Sequence, residues 1–259
     1  MKHCRRSSAI TVTIAAVFLL GHSQSARADE VTLVAPGGIR AAIVQMIPAF
    51  EQKTGHKVIA TFGSGLGTKQ QVARGDPFDV PIVQPPYPEV LASGHVVAGS
   101  ATPLATVAVG VAVRKGERKP DISTPDAVRR MLLAATFVSF PDPSGGAAAG
   151  VSFSETLKQL GIAEAMRPKI KLAQGGAAAM ASLARGEVEI GLTFVSEIIT
   201  EPGVESVGPL PREISTPTAL VGFVSTHAKA PEAAKALLAY LSSPEAAAVY
   251  KARGMQPGR

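Results

Sequence analysis

Four glycine-bearing turns hold the residues best suited to chemistry in this chain: Pro36-Gly37-Gly38, Gly63-Ser64-Gly65, Ser144-Gly145-Gly146 and Gln174-Gly175-Gly176. Each stands between a strand-like run and a stretch of helical periodicity. The first N–H groups of a helix have no partner within the helix and lie at the positive end of its dipole. Such turns suit an anion, or a molecule carrying carboxylate or phosphate groups. Any one of them taken alone could instead be a tight connection that needs positive φ. None is a nucleotide loop: residues 63–68 lack the spacing and the Gly-Lys-Ser/Thr ending of a P-loop, and Gly145-Gly146 lacks the dinucleotide pattern.

Catalytic and metal chemistry find little support. His56, His95 and His227 are far apart in sequence, and none stands at ligand spacing from another histidine or a carboxylate. Asp142 and Glu155 could be imagined as an acid and base, but Asp142-Pro143 reads as a turn opener and Glu155 falls on an amphipathic helix. Ser64 and Ser144 lack a nucleophile-elbow context. The only cysteine, Cys4, precedes an apolar run close to the amino terminus. The expectation is a protein that is not an enzyme, with no catalytic residue, metal or cofactor.

The elements around these turns alternate. Val31–Ala35, Val58–Phe62 and Phe78–Val83 read as strands, with helices over residues 39–50 and 66–74. A strand-like stretch over Thr106–Val113 follows. The alternation then resumes with strands at Phe137–Phe140, Lys169–Leu172 and Ile190–Phe194, and helices through Leu160 and over Ala177–Arg185. Two successive sets of βα units imply two lobes, each a mostly parallel sheet flanked by helices. Thr218–Val224 reads as a strand before two helices opened by Pro231 and Pro244, a tail that packs back on the first lobe.

At the amino terminus, Lys2, Arg5 and Arg6 precede an apolar run from Ala9 to Leu20 and the triplet Ala26-Arg27-Ala28, the layout of a cleavable signal peptide over residues 1–28. The run is shorter than the ~20 residues that span a bilayer. Removing it takes away four basic residues and no acidic ones, so the formal charge falls from +6 to +2. The basic character belongs largely to the leader, and no clustered Lys and Arg point to nucleic acid. With 46% hydrophobic residues, the remaining chain can bury one large or two medium cores.

The order of segments resembles the periplasmic molybdate-binding protein family, within the two-lobed type II solute-binding proteins of ABC importers. The similarity runs from Val31 to Gly254. It is carried by Val31–Ile39, by Phe62–Val83 with Gln70, Gly75, Pro77 and Asp79, by the Asp142-Pro143 loop leading to Gly150, by Ala184–Gly191 and by Leu237–Gly254. The resemblance implies a periplasmic, monomeric protein with two hinge crossings, handing its ligand to an ABC permease in the inner membrane; an exported enzyme using the same cleft and the binding subunit of a membrane sensor are the alternatives. It places lobe I at residues 29–105 plus 216–259 and lobe II at 106–215. That family holds its oxyanion with two serine hydroxyls, a tyrosine and backbone N–H groups. The matching side chains here are Gly38, Gly65 and Phe194, with Ser64 one place from the second. Gly37 adjoins the first, and backbone donors are implied near Gln84, Ala149 and Gly176. The lost hydroxyls disfavour molybdate and favour an organic carboxylate or another oxyanion, with Arg40 a further charged donor near the first turn.

Overall fold

The computed structural model describes residues 28–258. The expected leader, with Cys4, lies outside them except for Ala28. The chain opens with β1 (Glu30–Pro36), α1 (Arg40–Thr54), β2 (Lys57–Gly63), α2 (Gly65–Ala73), β3 (Val80–Val83) and α3 (Pro88–Ala92). β4 (Thr102–Val107) and β5 (Val109–Arg114) follow, then α4 (Pro125–Ala134), β6 (Val138–Pro141), α5 (Ala148–Gln159), α6 (Ala163–Met166), β7 (Ile170–Ala173) and α7 (Gly176–Ala184). β8 (Ile190–Phe194), α8 (Val195–Ile198) and β9 (Val204–Pro209) lead to β10 (Thr218–Gly222), α9 (Pro231–Leu241), α10 (Pro244–Ala252) and β11 (Gln256–Pro257).

Two sheets result, a six-stranded one ordered β11-β4-β10-β3-β1-β2 and a five-stranded one ordered β7-β6-β8-β5-β9. This is the two-lobed α/β architecture of type II periplasmic binding proteins. The sheets are mixed rather than mostly parallel. β1 runs parallel to β2 and β3, and β6 parallel to β7 and β8, as βα units require. β10 instead lies antiparallel to β3 and β4, and β5 antiparallel to β8 and β9. The reason is the crossing: a strand entering from the other lobe comes from the cleft side, so it runs against the βα strands it joins.

The run Thr106–Val113, read as one strand, is in fact parts of two. It breaks at Ala108, whose carbonyl accepts from Val195 N–H at 3.0 Å, and the halves join different sheets. No turn residue stands at the break, since Thr106-Val107-Ala108-Val109 is β-favouring throughout.

The core of the first sheet is closed by α1 and the carboxyl-terminal helices. Ile39, just before α1, and Ile43, Met46 and Phe50 on it recur at helical spacing and are all 2% exposed or less; each such side chain contributes roughly 1.5–3 kcal/mol by leaving water. α9 and α10 pack against α1. Asp79 ties the assembly together: its carboxylate accepts from Thr32 N–H at 2.7 Å, Thr32 Oγ1 at 2.6 Å and Lys229 N–H at 2.6 Å, linking β1 to the segment that opens α9.

Candidate functional site

β1, β2 and β3 end on the same side as β6, β7 and β8 of the facing sheet, so the loops that follow them converge. They enclose a cleft of about 640 Å³. Residues from all four glycine-bearing turns line it, and so do Gly37, Gly38, Ser64, Gly65, Gln84, Ala149, Gly176 and Phe194. Open α/β sheets present ligand sites at this end of their strands.

The glycines are there for two different reasons. Gly146 and Gly175 have φ of +73° and +96°, which side chains rarely adopt, so their turns demand glycine locally. Gly38 and Gly65 have ordinary φ and are constrained by neighbours instead. A Cβ on Gly38 would stand 2.7 Å from Cδ2 of Phe194, and one on Gly65 would collide with Oε1 of Gln84.

Gln84 follows β3 and is 3% exposed, yet neither its Oε1 nor its Nε2 has a hydrogen-bond partner. Leaving such an amide unmet costs about 1–3 kcal/mol per group, so this side chain is poised to give and receive a bond in the cleft. The helix starts divide in the same way. Ser64 caps α2, its Oγ accepting from Gly67 N–H at 3.0 Å, so its lone pairs are partly committed to the fold. No side chain caps α5 or α7, the helices that Ala148-Ala149 and Gly176 begin. Their first-turn donors are left to a ligand or to water.

The lobes touch across the cleft. Ser196 Oγ donates to Gly38 O at 2.7 Å, and Leu66 N–H to Gly146 O at 3.2 Å. Arg40 lies at the edge with its guanidinium carbon 4.8 Å from the centre of the Phe62 ring, a cation–π contact.

Glu197 was not singled out by its sequence, being an isolated glutamate on a four-residue helix. It lines the cleft and accepts from Thr193 Oγ1 at 2.5 Å. Burial raises its carboxyl above the usual carboxylate range, against the hydrogen bonds from Thr193 and the Phe194 backbone.

The other ionisable candidates serve the fold. Asp142 accepts from Ser144 N–H at 2.8 Å and Ser144 Oγ at 2.7 Å as a turn former, and Glu155 pairs with Lys158 at 2.7 Å on an exposed helix face. His95 and His227, distant in sequence, meet at 2.7 Å between ring nitrogens, away from the cleft. Among the described residues no group of three or more His, Cys, Asp or Glu is arranged to hold a metal.

Residues 31–256 match the family described as bacterial extracellular solute-binding protein. The chain is similar to an aconitate isomerase of a Pseudomonas species, 32% identical over 233 residues and covering 87% of each chain. It is also similar to the molybdate-binding protein of Azotobacter vinelandii, 31% identical over 236 residues, 89% of this chain and 91% of that one. In three dimensions, the Azotobacter vinelandii periplasmic molybdate-binding protein superposes with a TM-score of 0.73 at 20% identity, covering 87% of this chain and 98% of that one. The sulfate-binding protein of Mycobacterium tuberculosis superposes with a TM-score of 0.71 at 21% identity, covering 88% and 87%. The family model and the molybdate-binding relatives support a transport function for the chain. The chain belongs to the bacterial extracellular solute-binding proteins, as a periplasmic binding protein of the ABC-importer type, related to the molybdate-binding proteins, with a cleft for a small anion between its two lobes.

Proposed function

We propose that the ligand is a small organic polycarboxylate, held by Gly37, Gly38, Ser64, Gly65, Gln84, Ala149, Gly176 and Phe194. In this reading the lobes are residues 29–105 with 216–259, and 106–215. The protein works as a monomer, freed from its leader after Ala28, and delivers the ligand to an inner-membrane ABC permease. The observation that carries the ligand class is the Gln84 carboxamide, buried with both polar atoms unpartnered beside Gly65 and facing the space between the lobes. The carboxamide Nε2 can donate to a ligand carboxylate while its Oε1 accepts from a ligand hydroxyl or a water, whereas a compact metal oxyanion offers acceptors alone. Gly38, Gly65 and Phe194 lack the hydroxyls by which the molybdate-binding family holds its dianion. Unmet groups of that kind each cost about 1–3 kcal/mol. Similarity to an aconitate isomerase makes aconitate, an unsaturated tricarboxylate, the first candidate.

A thermal-shift and calorimetric screen tests this with cis- and trans-aconitate, citrate, malate, molybdate, tungstate and sulfate. A polycarboxylate should raise the melting temperature and bind with a Kd near micromolar or tighter, about −8 kcal/mol. Molybdate bound at that strength, with no carboxylate bound, overturns the reading. The isomerase relative also supports a catalytic alternative, decided in the same samples: a carrier leaves the aconitate NMR spectrum unchanged, whereas interconversion of the isomers would make the protein an enzyme.

A further inference from the structure

We propose that Glu197 recognises the ligand as a protonated carboxyl, donating a hydrogen bond to a ligand carboxylate, so that capture at neutral pH is coupled to uptake of a proton. This rests on the anionic ligand proposed above and names how one wall of the same cleft would meet it.

The argument starts from what surrounds the side chain. α8 carries Glu197 into the cleft from the second lobe, and its two oxygens face different ways. Oε2 accepts from Thr193 Oγ1, a fully buried hydroxyl, and lies so near Gly176 that a Cβ there would collide with it. Oε1 points toward the first lobe, 3.5 Å from where a Cβ on Gly37 would stand. The carboxyl therefore lies between the two turns that bring lobe I and lobe II together, with one oxygen committed to Thr193 and the other facing the ligand space.

No cation neutralises it. Glu197 makes no ion pair within 4 Å among the described residues. α8 packs against β5, β8, β9, α7 and residues 37–39. Of these, β8, α7 and residues 37–39 carry no ionisable side chain. Arg114 on β5 bonds to Glu117 at 2.6 Å, and Glu205 on β9 lies 3.6 Å from Lys119. Across the cleft, Arg40 is stacked on Phe62, and on the same side as Glu197 the other acid lining the cleft, Asp142, is tied to Ser144. An ionised Glu197 would confront an incoming anion with an unpaired charge of the same sign in a half-buried corner of the cleft. Two carboxylates sharing such a site retain a proton between them. Burial already raises the Glu197 carboxyl above the usual carboxylate range, and the ligand's charge pushes it further in the same direction. The folded protein thus supplies the acidic partner that a fully ionised ligand lacks.

The probe is trans-aconitate, titrated by calorimetry at about pH 7 to 8.5 in HEPES and in Tris, whose ionisation enthalpies differ. The wild-type protein should take up close to one proton more on binding than Glu197→Gln, in which an amide donor replaces the acid. Any proton taken up by the ligand itself cancels in that difference. Wild-type affinity should weaken by up to roughly tenfold per pH unit above the carboxyl's pKa, whereas Glu197→Gln should bind with a flat profile. An infrared difference spectrum of the wild-type complex should show a protonated-carboxyl stretch that the variant lacks. Equal proton uptake by both proteins, or parallel pH profiles, overturns the assignment while leaving the carboxylate reading intact. If the wild-type protein binds no carboxylate of the screen, the ligand reading falls and this inference with it.

Discussion

The ring of Phe194 lies against Gly38, so close that a Cβ at position 38 would stand 2.7 Å from Cδ2 and 3.1 Å from Cε2. The two residues come from different sheets, at the end of β8 and just after β1. One packed pair thus joins the two sheets on this wall of the cleft, and a serine at 38 needs the ring to move first. Gly38→Ser should weaken ligand binding at least about tenfold, ~1.4 kcal/mol. In a Phe194→Ala background the same change should cost less, with a coupling above ~0.5 kcal/mol in a double-mutant cycle. Strictly additive losses would show that the two residues do not meet in the liganded protein.

Local signals reached most of the strand-turn-helix units, because each combines a β-branched run, a glycine turn and a 3.6-residue period, as in Val31–Ala35, Gly37-Gly38 and Ile39 to Phe50. They failed where tertiary context decides. The break at Ala108 is set by which sheet each half joins and has no turn residue to announce it. α4 went unread although Thr124-Pro125 marks its start, with Thr124 Oγ1 accepting from Ala127 N–H at 3.1 Å. The cleft was legible as glycine turns but not as charge. Glu197 follows a buried strand on a helix too short to show a period. His95 and His227, 132 positions apart, meet because β10 returns the chain to the first sheet, so the segments on either side of it bring them together.

Asp79 should be a keystone of stability with a defined pH signature. Burial pushes its carboxyl up, but the hydrogen bonds from Thr32, Lys229 and Ala230 outweigh this and hold it below the ordinary range. Its folded pKa lies under its unfolded value of about 4. The stabilisation is therefore fully present above the unfolded value and is lost as pH falls through the folded one. Asp79→Ala strands those donors and should cost about 2–4 kcal/mol at neutral pH. Urea titrations should show the gap between variant and wild type narrowing as the pH falls below about 4. A gap that stays constant with pH would argue against the carboxylate as the source.

Tyr250 separates packing from hydrogen bonding in the carboxyl-terminal tail. It is 1% exposed, its hydroxyl donates to Leu241 O at 2.9 Å, and burial raises the phenol above its ordinary range. Tyr250→Phe keeps the ring and should cost about 1 kcal/mol. Tyr250→Ala opens a cavity between α9, α10 and the first sheet and should cost roughly 3–5 kcal/mol. Equal losses in chemical denaturation would mean that the hydroxyl, not the ring, holds the tail.

Gly65 tests whether the buried carboxamide of Gln84 is part of the ligand site. Its φ is not in the left-handed range, so alanine meets no backbone strain, and as the first residue of α2 alanine is no worse a helix former. The obstacle is lateral. The new Cβ would displace Oε1 of Gln84 on one side and stand 3.4 Å from the Cβ of Ala148, in the other lobe, on the opposite side. Gly65→Ala should therefore leave the unliganded protein within about 0.5 kcal/mol of wild type, as a substitution that fits its backbone does. It should weaken ligand binding by roughly tenfold to a hundredfold, ~1.4–2.7 kcal/mol, by turning the amide away. Gln84→Ala in the same background should add little, since the amide is already out of place. Unchanged affinity in Gly65→Ala, with the carboxamide demonstrably shifted, would place the ligand away from Gln84 and on the α5 and α7 side of the cleft.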